Sequence, residues 1–260
     1  MITYNRLKEL FLILIILFSS SLVFSGTKIA KTQAKKGVSL ILYTHALTET
    51  DLNHKEHILK LAYKLNPEDE KISFLLGKTL IINNNNKLGQ NILHELSENS
   101  ELKGRIFKFL GDNYYYKKDF KSANFYYKKL TEVDEEDNYL YNYRLGEING
   151  KEGLKNFEES NKYYLRAYNL RKYKDDEDIL YYIADNFYNL KQYNNTLKYL
   201  KMYPYTNGNN QKAFKLLIRA YYRLKNKDEL NSNIKKYLKI WPQNKWIRRV
   251  IKMAAKLSED

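Results

Sequence analysis

Three Leu-Gly pairs, Leu76-Gly77, Leu110-Gly111 and Leu145-Gly146, constrain the fold most, because their glycines recur 34 and 35 residues apart. A fixed period of this size marks a chain built from one structural unit repeated, each copy covering the apolar face of the last. Glycine inside a helix costs about 1 kcal/mol relative to alanine. Its return at one phase, always one residue after an apolar core position, therefore points to a packing requirement. Ala184 continues the column of Gly77, Gly111 and Gly146. Small residues at Gly89, Ala123, Ser160 and Thr196 are expected to let the two helices of one copy approach closely. Leu59, Leu93, Tyr127, Tyr164 and Leu200 are expected to fill the space between one helix pair and the next.

Only 3 prolines and 10 glycines occur in 260 residues, so long helices meet few breaks and the fold prior tilts to all-α. The clearest copy runs from Gly104 through Phe107, Leu110, Gly111, Asp112, Asn113, Tyr114, Phe120, Ala123, Tyr127 and Leu130. This order of aromatic, Leu-Gly, aromatic, small residue and aromatic resembles the tetratricopeptide repeat family. The proline that closes a unit in that family is replaced by Glu135, whereas Asn66-Pro67 and Trp241-Pro242 match it. Aligned on this copy, six units start near Lys36, Glu70, Gly104, Tyr139, Glu177 and Gln211, spanning 36–69, 70–103, 104–138, 139–176, 177–210 and 211–244. A two-residue insertion around Gly150-Lys151-Glu152-Gly153 falls at the turn of the fourth unit. Lys55 and Leu230 stand where a small residue is expected, and terminal repeats are commonly atypical.

The resemblance implies an all-α, right-handed solenoid of about six antiparallel helix pairs. Residues 245–260 follow as a capping helix, on the helical spacing of Trp246, Ile247, Val250, Ile251, Ala254 and Leu257. With Arg248, Arg249, Lys252 and Lys256 interleaved, the same segment also reads as a basic amphipathic membrane-surface helix. In the family, the first helix of each unit lines a concave groove that binds proteins or peptides. Carried over position by position, the groove residues of the third unit are Arg105, Lys108, Asp112, Tyr115 and Tyr116. The fourth supplies Tyr143 and Glu147. The fifth supplies Asp178, Tyr181, Asp185, Tyr188 and Asn189, and the sixth Lys212, Lys215, Arg219, Tyr222 and Arg223. This groove is tyrosine-lined, acidic in its middle and basic at its carboxy-terminal end. The clamp for a peptide carboxy terminus used by some family members is not supported, because no asparagine stands at the ninth positions Thr44, Lys78, Asp112, Glu147 and Asp185.

Residues 1–25 have the layout of a secretory signal peptide or amino-terminal anchor: Arg6 and Lys8, then apolar Leu10 to Phe18, then small residues, with Val23 and Ser25 placed for cleavage. The apolar stretch falls short of the roughly 20 residues needed to span a bilayer. Residues 26–35, basic and without apolar periodicity, read as a linker. The expected location is exported, periplasmic or envelope-associated. The net charge of +15 becomes +14 without residues 1–25, so it belongs to the mature chain. Such a charge attracts anionic lipid, wall polymer or acidic protein, and an A/T-rich codon bias explains it equally well. Nucleic acid is an unfavoured partner for an exported chain.

No residue set supports catalysis, a cofactor or a metal. Gly77-Lys78-Thr79 lacks the glycine of a phosphate loop, with Ile72 in its place. His54 and His57 have only His45 as a third ligand, and His94-Glu95 lacks a second histidine. The chain has no cysteine, which removes disulfides, thiolate ligands and cysteine nucleophiles. Asp134-Glu135-Glu136-Asp137 reads as a solvated charge run between units.

Overall fold

The structure, a computed structural model, describes residues 28–133, 139–170, 178–203, 210–242 and 245–256. The proposed signal segment 1–25, Gly26 and Thr27 of the linker, the acidic run 134–137, Glu177 and Leu257 lie outside the described residues. Thirteen helices and no strand occur among the described residues. They are α1 (Lys28–Thr48), α2 (Leu52–Leu65), α3 (Glu70–Ile82), α4 (Asn86–Asn99), α5 (Lys103–Tyr116), α6 (Phe120–Val133) and α7 (Tyr139–Asn149). Then follow α8 (Phe157–Leu170), α9 (Asp178–Asn189), α10 (Tyr193–Met202), α11 (Gln211–Arg223), α12 (Lys227–Ile240) and α13 (Lys245–Lys256). The chain divides into two compact units, one up to Phe109 and one from Leu110, the division falling inside α5. Each is a run of consecutive packed helix pairs, the all-α repeat architecture that the Leu-Gly period implies.

In the first unit, Val38, Leu42, Ala46, Ile58, Leu59, Ala62, Ile72, Leu76 and Leu80 form one core. Side-chain caps start α2 and α3: Asp51 accepts from the His54 amide at 2.7 Å, and Asp69 accepts from the Lys71 and Ile72 amides. Each such cap satisfies helix amides that have no partner in the helix itself. The expected linker is corrected at residues 28–35, which form the first turns of α1. Most of these residues are exposed, so tertiary burial does not hold them in place. Ala30, Lys31, Gln33, Ala34 and Lys35 are good helix formers, and a helix already nucleated on the packed residues beyond Gly37 extends through them cheaply.

The small-residue columns act by close approach. A Cβ on Gly77 would lie 2.6 Å from the Leu93 side chain, one on Gly111 3.2 Å from the Tyr127 ring, and one on Gly146 2.5 Å from the Tyr164 ring. Leu93, Tyr127 and Tyr164 thus lie over glycines of their own pair, and Tyr164 also stacks on Tyr182 of the next pair, as expected for a residue between pairs. The missing Cβ leaves a flat helix surface on which a large side chain can rest. Tyr127 also faces Tyr141 of the next pair, with ring centroids 6.3 Å apart. Buried asparagines add links between pairs. Asn149 donates to Asn124 at 2.8 Å, and Asn186 donates to Ser160 at 2.7 Å and Asn161 at 3.0 Å.

The turns inside the second to sixth pairs each use a left-handed residue: Asn84, Lys118, Lys155, Lys191 and Lys225 all have φ between 54° and 65°. At Asn84, Lys118, Lys191 and Lys225 the backbone closes with two bonds of the Schellman type, such as Gln192 N–H to Phe187 O and Lys191 N–H to Tyr188 O. The fourth turn carries the insertion and closes instead through Leu154 N–H to Ile148 O and Lys155 N–H to Gly150 O.

In the second unit, Ile183, Ala184, Leu200, Ala213, Leu217, Ala220, Leu230 and Tyr237 belong to one core with Ile247 and Val250 of α13. The last helix thus places an apolar stripe on α11 and α12. Arg248, Ile251 and Lys252 stay exposed.

Candidate partner-binding site

The first helices of successive pairs in the second unit, α7, α9 and α11, carry most of the expected groove residues, and α9 packs directly on α11. Two cavities lie among them. The larger, about 490 Å³, is lined by Glu147, Lys151, Tyr164, Tyr181, Tyr182, Asp185 and Lys212, with Gly150, Glu152 and Asn186 completing it. Tyrosine rings form its wall: Tyr164 stacks on Tyr182 with centroids 5.6 Å apart, and Tyr143 meets Tyr164 edge-on at 5.7 Å. The smaller, about 190 Å³, is lined by Tyr188, Ile218, Arg219, Tyr222, Arg223, Trp246 and Val250.

The expected acidic residues are engaged within the chain. Asp112 holds Arg144 in an ion pair and accepts from the Tyr127 hydroxyl. Glu147 accepts from the Tyr115 hydroxyl at 2.7 Å. Asp185 is 8% exposed, lies 3.8 Å from the Lys151 ammonium and accepts from the Asn189 amide. Asn189 also donates to the Asp185 carbonyl at 2.7 Å, so it is spent on its own helix. Asp178, at the start of α9, accepts from the Tyr203 hydroxyl at 3.2 Å. Of the negative charge foreseen for the middle of the groove, that of Asp112 and Asp185 thus faces a cation, Arg144 and Lys151, while Glu147 and Asp178 take tyrosine hydroxyl hydrogen bonds.

Arg144 was absent from the expected set, yet it organises one end of this face. Its guanidinium lies 5.1 Å from the Tyr115 ring centroid and 5.5 Å from that of Tyr116, and it donates to the Tyr116 hydroxyl at 3.2 Å. Tyr116 itself is 71% exposed. At the other end Arg219 stacks on Tyr188 at 4.3 Å, Arg223 donates from Nε to the Tyr188 hydroxyl at 3.4 Å, and Lys215 lies 5.6 Å above the Trp246 ring. Arg105 and Lys108 belong to the first unit. There Arg105 and Lys78 lie over the Phe74 ring at 5.1 and 5.2 Å, and Lys78 is held below the usual ammonium range by burial and then by the charges of Arg105 and Lys108.

Burial, the largest cause at each, raises several tyrosine hydroxyls of the second unit. Tyr115, Tyr126, Tyr163 and Tyr181 are pushed up to about 12, with the Glu147 hydrogen bond adding at Tyr115 and the Asp185 charge at Tyr181. A raised folded value means the folded chain holds its protons more tightly than the unfolded chain. The stabilisation is complete below the ordinary tyrosine value of about 10 and is lost as pH climbs towards the folded value. The share of tyrosinate absorbance that these four residues contribute should therefore appear only as helicity is lost, between pH 10 and 12. Complete tyrosine ionisation near pH 10 with helicity intact would contradict this burial.

Consecutive helix pairs, with small-residue contacts inside the second to fourth, define a helix-pair repeat protein. More specifically, the fold is the tetratricopeptide-repeat fold. The solved structure of YrrB, described as a TPR protein with an unusual peptide-binding site, matches with a TM-score of 0.57 at 18% identity, covering 75% of this chain and 97% of that one. MamA of AMB-1 matches with a TM-score of 0.51 at 15% identity, covering 72% of this chain and 97% of that one. No protein-family model and no curated protein sequence matches the chain.

Proposed function

We propose that the chain is a non-enzymatic, exported scaffold that holds a protein or peptide segment on the α7–α9–α11 face of its second unit. One observation carries this reading: the cleft of about 490 Å³ walled by Tyr164, Tyr181 and Tyr182 and rimmed by charges of both signs. Tyrosine presents a rigid apolar face with a hydrogen-bonding tip, which suits adaptable recognition of a peptide. Lys151 and Lys212 can meet acceptors along an extended segment while the rings contact its side chains. The peptide-binding site named for YrrB supports a partner of this class. Export rests on the basic head, apolar stretch and small residues of segment 1–25.

The test is capture of peptides selected from a displayed random library on the full chain. Tyr181→Ala combined with Tyr188→Ala should weaken capture about ten-fold or more, the cost of removing two aromatic anchors, with helicity unchanged. Capture equal to wild type would remove the groove assignment.

A second reading is favoured by α13, where Arg248 and Lys252 are exposed beside Ile251, itself 43% exposed. This basic, partly apolar helix face suits an anionic lipid or wall polymer. Binding to vesicles rich in phosphatidylglycerol should then collapse between low and high salt. Salt-insensitive binding would exclude it.

A further inference from the structure

The smaller cavity of the second unit differs in kind from the larger one. At about 190 Å³ it falls below the roughly 300–1,000 Å³ of small-molecule sites and has the dimensions of a single side chain. Its charge has one sign. Arg219 and Arg223 belong to its wall, Lys215 stands over the Trp246 ring that also lines it, and no carboxylate is among the lining residues. Among the described residues none of these three cations has a carboxylate within ion-pair distance.

Tyr188 fixes both guanidiniums. Arg219 stacks on its ring at 4.3 Å, and Arg223 spends Nε on its hydroxyl at 3.4 Å. A guanidinium stacked on a ring keeps its fork of N–H donors for a planar acceptor. Arg219 and Arg223 are also one turn apart on α11, where like charges repel unless an anion lies between them. Ile218, Val250 and Trp246 supply an apolar side to the same cavity.

We propose that this cavity takes an acidic side chain of the partner, a glutamate or aspartate with an aliphatic neighbour. The carboxylate meets Arg219 and Arg223, and the aliphatic group lies against Trp246 and Val250. This rests on the reading that the second unit binds a peptide and adds the chemistry of one anchor. It also gives α13 a part in recognition beyond covering α12.

The test uses N-acetyl-Leu-Glu-Leu-amide and N-acetyl-Leu-Gln-Leu-amide titrated into the full chain, followed by the indole N–H resonance of Trp246. The glutamate peptide should bind about ten-fold more tightly than the glutamine peptide, as a charge-assisted hydrogen bond requires. Arg219→Gln should erase that preference, while Phe125→Ala, on α6 and outside both cavities, leaves it intact. Equal affinities, no saturable shift with the glutamate peptide, or a preference that survives Arg219→Gln would each overturn the proposal. Failure of the broader reading looks different: library-selected peptides would then stay bound to the Tyr181→Ala, Tyr188→Ala chain.

Discussion

Gly89→Ala is expected to lower the stability of the first unit by about 2 kcal/mol, the range of overpacking in a filled core. In an ordinary helix the same change gains about 1 kcal/mol. The sign reverses here because the new Cβ would sit 2.6 Å from the backbone carbonyl oxygen of Gly77 and 2.7 Å from the Ile81 side chain. A backbone oxygen cannot rotate away, so α3 and α4 must separate and Leu93 loses its seat over Gly77. Gly37 is the internal control. It lies in α1 with nothing within 4 Å of a built Cβ, so Gly37→Ala should raise stability. Urea midpoints for the two variants, moving in opposite directions, check both. A stabilising Gly89→Ala would show that the glycine columns are not contact surfaces.

The second large effect belongs to Arg144. Arg144→Met should cost about 2 kcal/mol, because it leaves the Asp112 carboxylate without its charge partner in a partly buried position. The full penalty of a deeply buried broken pair does not apply, since the Asp112 side chain keeps 25% exposure. Asp112→Asn should cost less, and the double variant should cost less than the sum. The coupling reports the pair itself. Additive losses in the urea midpoint would mean that Arg144 contributes only its stacking on Tyr115 and Tyr116.

Much of the fold was legible because repetition writes packing into the sequence. Gly77, Gly111 and Gly146 return in phase, and each lies under a large side chain that returns in phase with it, Leu93, Tyr127 or Tyr164. The turns were less legible, since Lys118, Lys191 and Lys225 adopt the left-handed conformation without being glycine. Only their hydrogen bonds betray them. The helical start of α1 went unread because exposed residues carry no apolar period, and local propensity alone extends it.

Which candidate residues share a cavity was legible by position, and how they pair was not. Tyr181, Asp185 and Lys212 meet around one cavity, and Tyr188, Arg219, Tyr222 and Arg223 around another. The Arg144–Asp112 pair spans 32 residues, and no spacing rule in a single sequence announces such a partner. Lys151 lies in an insertion that breaks the period, so positional carry-over could not reach it. Trp246 was read as a cap residue, whereas it also lines the cavity beside Arg219.

Docking of a partner on the first-helix face of the second unit, as proposed, is tested by a photo-crosslinking residue at Lys212, on the rim of the larger cavity. The comparison position is Phe125 of α6, a second-helix residue that is 51% exposed. Irradiation in cells should give a partner adduct from position 212 and none from position 125. Equal adducts from both positions, or adducts from 125 alone, would contradict the assignment.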